Sequence, residues 1–363
     1  MSVLIFILVI VALIVVHEFG HFVAAKLSGM RVDEFGLGYP PRALLLGKIG
    51  ETEYTLNWIP FGGFVKIFGE DGGIGSRAFT TRPRILQAIV LVAGITMNLV
   101  FAYVLITGAL ISGTPRAISP EELPRAEKVQ LAVANVLPGS PAALAGLVAG
   151  DSILSAEDGH YAFSGADPAT FTKFVSDGKG NTTITLSVRH SGGKEETLFA
   201  RPVAGLIASD PSRAALGVEV ATIGVVPLSF LAAVTEGASL TWEATKLTAI
   251  GLGHFFYGVF TLSADLSQVA GPIGIAGVVG DASSQGMGDL FSIMAIISIN
   301  LALINLIPVP ALDGGRLLFV AIESVIRRPI KPSIAQTINA IGFAFLILLM
   351  VVVTAHDIFK IIG

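Results

Sequence analysis

The sequence predicts a membrane protein of four transmembrane helices, with a cytoplasmic membrane-associated β-sheet and an extracytoplasmic α+β domain. Three observations predict it. Of 363 residues, 53% are apolar and only 14% are charged, whereas an ordinary soluble domain carries roughly 25% charged residues. Four stretches are apolar for long enough to cross about 30 Å of hydrocarbon, which takes roughly 20 residues of helix. Between the second and third of them the composition becomes that of a soluble domain, with period-two alternation. The formal net charge of -4 is small and no long basic run occurs, so nucleic acid is not an expected partner. The chain has no cysteine, which excludes disulfides and thiolate chemistry. Any metal site must therefore use His, Asp or Glu.

The first span is expected over residues 3–25. It is not read as a signal peptide, because no Lys or Arg precedes the apolar run and no small-residue cleavage site follows it. Residues 31–68 contain strand-like pieces, VDEFGLG, RALLLGKIG, EYTLNW and GFVKIF, separated by Gly and Pro. They predict a sheet beside the membrane and complete a first region, 1–112, whose second span covers 85–112 without a charge. The soluble domain is expected over 128–205. VQLAVANV, SILSAE and TTITLSVRH read as strands, and SPAALAG and ADPATFTKFVS as short helices opened by capping residues. Residues 227–262 are mostly apolar but include Glu236, Glu243, Lys246 and His254, a pattern expected of an interfacial amphipathic helix rather than a fifth span. The last region, 288–363, holds spans at 290–307 and 338–355.

Orientation follows from Lys and Arg in the short connections. Lys26, Arg31, Arg42, Lys48, Lys66, Arg77, Arg82 and Arg84 separate the first two spans, and Arg316, Arg327, Arg328 and Lys331 the last two. With four spans these connections share one side, taken as the cytoplasm, and the segment 113–289 lies outside.

His17-Glu18-Phe19-Gly20-His21 fits the pattern H-E-x-x-H. On a helix, positions i and i+4 share a face. Two neutral imidazoles so spaced can bind one zinc ion, with the glutamate between them as general base. The pattern alone arises by chance in soluble proteins, but three ionisable groups in an otherwise apolar span are costly without a partner or a function. A patch that only pairs helices is the plainer alternative. Catalytic zinc takes three protein ligands and keeps one position open. Asp313, in NLIPVPALDGG, is the candidate for the third. Pro308 and Pro310 end the helix, and Gly314 and Gly315 permit close backbone approach. A helix N-cap is the other reading of Asp313, and both can hold at once.

With HEFGH in the first span and NLIPVPALDGG in the third, the chain resembles the site-2 protease family. Its nearest likeness is to the bacterial regulator-of-sigma-E protease type, which carries a PDZ module between spans two and three. The resemblance runs through nearly the whole chain in order. It implies one zinc ion held by His17, His21 and Asp313, with Glu18 as the catalytic base. AGITMN resembles the family's AGPxxN, with Ile95 where that pattern has Pro, and SINLALIN also matches. Asn98, Asn300 and Asn305 are thereby expected at the substrate, although an interhelical hydrogen bond serves Asn98 equally well. VLPGSPAALAGLVAGDSIL resembles a PDZ stretch. The remaining histidines, His160, His190, His254 and His356, have no partner at ligand spacing.

The function so implied is regulated intramembrane proteolysis by a zinc metalloendopeptidase of the bacterial inner membrane. Its substrates would be single-span membrane proteins of the anti-sigma-factor or remnant-signal-peptide kind, filtered by the PDZ domain. The lipid bilayer is the other expected partner and a monomer the expected state. A substrate helix must unwind before its peptide bonds can be attacked, and freed backbone groups in lipid cost several kcal/mol each (order of magnitude). An exposed strand edge, in EYTLNW or GFVKIF, could pair with the unwound chain; anchoring of the sheet by Trp58 at the membrane surface is the alternative. Two other classes compete. A zinc-stabilised scaffold has no need of Glu18, and an ion transporter has no need of a PDZ module.

Overall fold

The computed structural model describes residues 2–70, 75–177, 182–190, 193–207, 210–261, 263, 270–328 and 330–362. The chain divides into two units, one of residues 1–112 and 229–363 and one of residues 113–228. The first unit opens with helix α1 (Ser2–Leu27), an uninterrupted apolar helix that ends at Gly29, φ 69°. Strands β1 (Val32–Ile49) and β2 (Thr52–Ile67) follow, then helix α2 (Arg84–Ser112). The two strands are long and bent. Phe35 pairs with Val65 on one side and Tyr54 on the other, and Gly36 pairs with Phe64 and Thr55. The far part of β1 folds back on β2, from Leu44 opposite Leu56 to Ile49 opposite Thr52. Residues 53–56 are therefore flanked on both sides and residues 63–67 on one. Ala25, Met30, Val32, Ile67, Phe79, Val90 and Leu91 form one buried cluster that fixes the sheet against α1 and α2. At its other end the sheet exposes Tyr39, Leu44, Leu45, Leu46, Ile49, Trp58 and Ile59.

The second unit holds β3 (Pro115–Ala117), β4 (Glu127–Val136), α3 (Pro141–Leu144), β5 (Ser152–Glu157), β6 (Ala162–Phe163), α4 (Pro168–Asp177), β7 (Ile184–Arg189), β8 (Glu195–Ala200) and β9 (Val218–Val225). Its sheet runs β3-β9-β4-β5-β7-β8, with β6 on β5. Leu131, Val133, Ile153, Phe171, Val175, Ile184, Leu186 and Val188 form its core, drawn from alternate positions of the strands and one face of α4. Ser140 caps α3 by accepting from the Ala143 amide at 3.3 Å. Asp167 accepts from the Thr170 hydroxyl at 2.5 Å and from the Thr170 amide at 2.9 Å at the start of α4, and these donors hold its carboxyl below the usual carboxylate range. The unit is wider than the expected 128–205. VEVATIGV supplies β9, which pairs with both β3 and β4.

The first unit resumes with α5 (Phe230–Phe260). Residue 262 lies outside the described residues, and a helix lies within the expected 227–262, over Phe230–Phe260. It is packed on two spans: the Tyr103 hydroxyl donates to the Val234 carbonyl at 3.1 Å, and Ala244 packs on Ala102, Leu105, Ala295 and Ile299. Helix α6 (Pro272–Gln285) was not expected. Its Val279 is buried with Val9 and Leu13, and the Asp357 carboxylate accepts the amides of Gly271 and Gly274 at 3.2 and 2.9 Å. Helices α7 (Met287–Leu306), α8 (Asp313–Ile326) and α9 (Pro332–Ile362) complete the unit. Four helices are long and apolar enough to cross a membrane, at Val3–Leu27, Arg84–Ser112, Met287–Leu306 and Ser333–Phe359.

Candidate metal centre

Helix α1 carries His17 and His21 one turn apart, buried at 6% and 8% exposure and facing α2. Their rings meet edge to face with centroids 4.8 Å apart. The third group arrives from the far end of the sequence. Asp313 Oδ2 lies 3.0 Å from His17 Nε2 and 3.1 Å from His21 Nε2, and the two Nε2 atoms are 3.1 Å apart. No other three His, Asp or Glu side chains among the described residues converge as a possible metal site.

The backbone around Asp313 explains its reach. Helix α7 stops at Leu306, and Pro308 and Pro310 prevent its continuation. A Cβ on Gly314 would lie 2.6 Å from the Leu306 carbonyl carbon, and one on Gly315 would lie 2.8 Å from that of Val309. The turn therefore folds directly onto the helix it has left, and any side chain there would push Asp313 away. Ala311 holds φ 76° and donates its amide to the Asn339 side-chain oxygen of α9 at 3.3 Å. Arg316, three residues past Asp313, pairs with Glu70 at 2.6 Å, and Arg84 pairs with Glu323 at 2.7 Å.

A second layer surrounds the two imidazoles. His21 Nδ1 donates to the Val90 carbonyl at 2.7 Å. His17 Nδ1 lies 3.1 Å from the carboxamide of Asn98, which is fully buried, and the Ser298 hydroxyl donates to the Asn98 backbone carbonyl at 2.8 Å. A Cβ on Gly94 would come within 2.8 Å of His21 Cε1 and 2.9 Å of His17 Cε1. Glu18 is half-buried, and its Cγ lies 3.6 Å from where a Cβ of Gly63 would stand, so the open edge of β2 passes beside it.

The three asparagines have separate fates. Asn98 sits behind His17, sealed from solvent, rather than on an open face. Asn300 donates to the Ile296 carbonyl of its own helix at 2.9 Å. Asn305 is half-buried in the last turn of α7. Of the other histidines, His190 bonds to the buried Asp151 at 2.8 Å within the second unit. Val90 carries no sign of this site in the sequence, and Gly94 of AGITMN and Gly63 of GFVKIF show their part only in the structure, because a carbonyl and two missing side chains matter only once another element lies against them.

The sequence pattern of Peptidase family M50 matches residues 5–349, a stretch that contains both histidines and Asp313. The chain belongs to this family of site-2 proteases. It is 35% identical to a Clostridium perfringens protein named "Putative zinc metalloprotease", over 96% of this chain and 95% of that one. A protein of the same name from a Nostoc species is 34% identical over 96% and 93%. The zinc metalloprotease RasP of Geobacillus kaustophilus is 29% identical over 99% and 98%. This M50 chain is a zinc metalloendopeptidase with helices that suit a bilayer.

The residues present fit zinc. The donor set, two imidazoles and one carboxylate, is one that catalytic zinc accepts, with a fourth position left for water. The Val90 carbonyl can only accept, so His21 carries its proton on Nδ1 and presents a bare Nε2 to the same point as Asp313. Gly94 leaves room for both rings beside α2.

Proposed function

We propose that this M50 protease hydrolyses peptide bonds of single-span membrane proteins in or beside the bilayer, with His17, His21 and Asp313 as zinc ligands and Glu18 as general base. The observation that carries the proposal is the meeting of Asp313 Oδ2 with both Nε2 atoms at 3.0 and 3.1 Å. Zinc in this position supplies Lewis acidity and makes a water a competent nucleophile near neutral pH. Glu18 takes the proton of the attacking water as the new C–O bond forms. It returns that proton to the leaving amine as the C–N bond breaks. The test is Glu18→Gln in purified enzyme with a single-span reporter. Cleavage is expected to fall by about 10²- to 10⁴-fold with zinc content unchanged, and an unaltered rate removes Glu18 from this role.

Two features support a membrane-embedded substrate. The two histidines lie on one apolar helix and pack against a second, α2, and the unwound chain such a substrate must present has a strand edge at hand. The flanking of residues 53–56 on both sides leaves the first four residues of EYTLNW no free edge, whereas residues 63–67 of GFVKIF are paired on one side only and begin with Gly63 beside Glu18. A substrate strand bonded to that edge would bring its scissile carbonyl to the histidines through main-chain contacts, with little demand on side-chain identity. The basic connections support a reading in which this edge and the site lie toward the cytoplasm and residues 113–228 are extracytoplasmic, in a bacterial inner membrane.

Residues 113–228 are read as a PDZ-type filter. β9 carries β4 along one side, but β3 covers it only from Ile223 to Val225. The uncovered length from Val218 borders a cavity of about 290 Å³ whose other wall includes Phe171, Thr172 and Val175 of α4. An extended chain terminus added there as a strand fits both walls. Anti-sigma factors already cut once, or remnant signal peptides, are the substrate classes that the family resemblance implies.

A further inference from the structure

We propose that the Asn98 carboxamide presents its oxygen, not its nitrogen, to His17 Nδ1, and that it is a positioning residue which holds His17 in its metal-binding tautomer. The proposal rests on the reading of His17 as a zinc ligand.

The two ends of a carboxamide are distinguished only by their hydrogen-bond partners. One end of the Asn98 amide lies 3.1 Å from His17 Nδ1, while Oδ1, at the other end, is buried without a hydrogen-bond partner. Nothing beyond His17 therefore selects the orientation of the amide, and the needs of the imidazole decide it. An Nδ2 turned toward Nδ1 would require a bare Nδ1, and the proton of a neutral ring would then sit on Nε2. That nitrogen faces Asp313 Oδ2 at 3.0 Å and His21 Nε2 at 3.1 Å, the point where a lone pair is needed. With Oδ1 toward Nδ1 the proton is held on Nδ1 and Nε2 is bare.

His21 supports this assignment independently. Its Nδ1 meets the Val90 carbonyl, which has no donor form, so its tautomer is fixed with Nε2 bare. Val90 and Asn98 lie eight residues apart on α2, with Gly94 midway between them against both rings. One face of α2 thus offers two acceptors and a gap. The first acceptor is backbone and the second is a side chain, because His17 lies deeper along the helix, beyond the reach of the same carbonyl. The Ser298 hydroxyl on the Asn98 carbonyl ties that part of α2 to α7.

The test compares Asn98→Asp and Asn98→Leu by chelator competition for zinc in the full-length enzyme. A carboxylate keeps an acceptor at Nδ1 and offers no donor, whereas leucine keeps the volume and offers neither. Asp is expected to bind zinc within about 3-fold of the original protein, and Leu to bind roughly 10- to 100-fold more weakly, the range typical of a lost partner to a ligand histidine. Loss of affinity in Asp equal to that in Leu overturns the proposal, and so does Leu binding zinc normally. If Leu does not fold, Asn98→Ala takes its place: it too removes the acceptor, the same roughly 10- to 100-fold loss is expected, and normal zinc binding by it overturns the proposal. His17→Ala separates the two levels: normal zinc affinity in that variant would remove the ligand assignment itself.

Discussion

A missing side chain does as much at this site as a present one. Gly94 stands on α2 where a methyl group would touch the carbons of both histidine rings, and those rings are already held from behind by Val90 and Asn98. They cannot retreat without losing those bonds. Gly94→Ala is therefore expected to weaken zinc binding by at least 10-fold, although alanine favours an isolated helix by about 1 kcal/mol over glycine. Zinc content after dialysis against a weak chelator reads the effect directly, and full retention of metal would show that the rings can shift. Glu18 and the two histidines were legible from the sequence because a four-residue spacing on one helix is a local fact. Asp313 was legible only in part: the LDGG turn announces a bend and a carboxylate, but not which helix they meet. Val90 was not legible, since a backbone carbonyl leaves no mark in the sequence, and Gly94 was legible only as part of AGITMN, without the space it provides.

At the scale of elements the outcome follows the range of the forces involved. The four spans and strands β4, β5 and β7 of the second unit were found at nearly their expected positions, because apolar length and alternation are local signals; β3, β6, β8 and β9 were not expected. The use made of β1 and β2 was harder to foresee. Both candidate pieces have strand composition, and only the doubling of β1 across β2 shows that residues 53–56 are interior while 63–67 remain open. A proline scan along 64–67 tests the use of that edge. Proline at a position whose amide points away from β1 removes one outward donor without breaking the sheet. Such a variant is expected to cut the reporter about 5- to 10-fold more slowly, the equivalent of roughly 1–1.4 kcal/mol for one hydrogen bond, and to keep its zinc. An unchanged rate at every position would remove the edge from the mechanism. Helix α6 escaped notice because GPIGIAG is rich in glycine, a poor helix former. Its start is fixed from outside, by Asp357 of the last span accepting two of its first amides.

For the molecule as a whole, the division into two units separates two tasks. The proposed metal ligands belong to residues 1–112 and 229–363, and the groove bordered by β9 and α4 belongs to residues 113–228. Thr172→Trp, which fills the groove from the α4 side, is expected to abolish binding of C-terminal peptides, as read by fluorescence titration, and to leave zinc content untouched. If peptides bind as before, the groove is not their site. Were the unit to act only by its bulk, cleavage of a short reporter would be indifferent to this change. The boundaries of that unit were misjudged from the sequence because β9 follows a proline- and glycine-rich stretch and joins β4 from more than 80 residues away, a pairing that no local pattern announces.

The distance along the chain between His17 and Asp313, 296 residues, also imposes an order on biosynthesis. On the proposed assignment of His17, His21 and Asp313 as ligands, a chain translated only through its first two spans has both imidazoles and Glu18 but lacks the third ligand. On that assignment nascent protein cannot cut its neighbours, and hydrolytic competence waits until the turn that follows α7 has been made and has met α1.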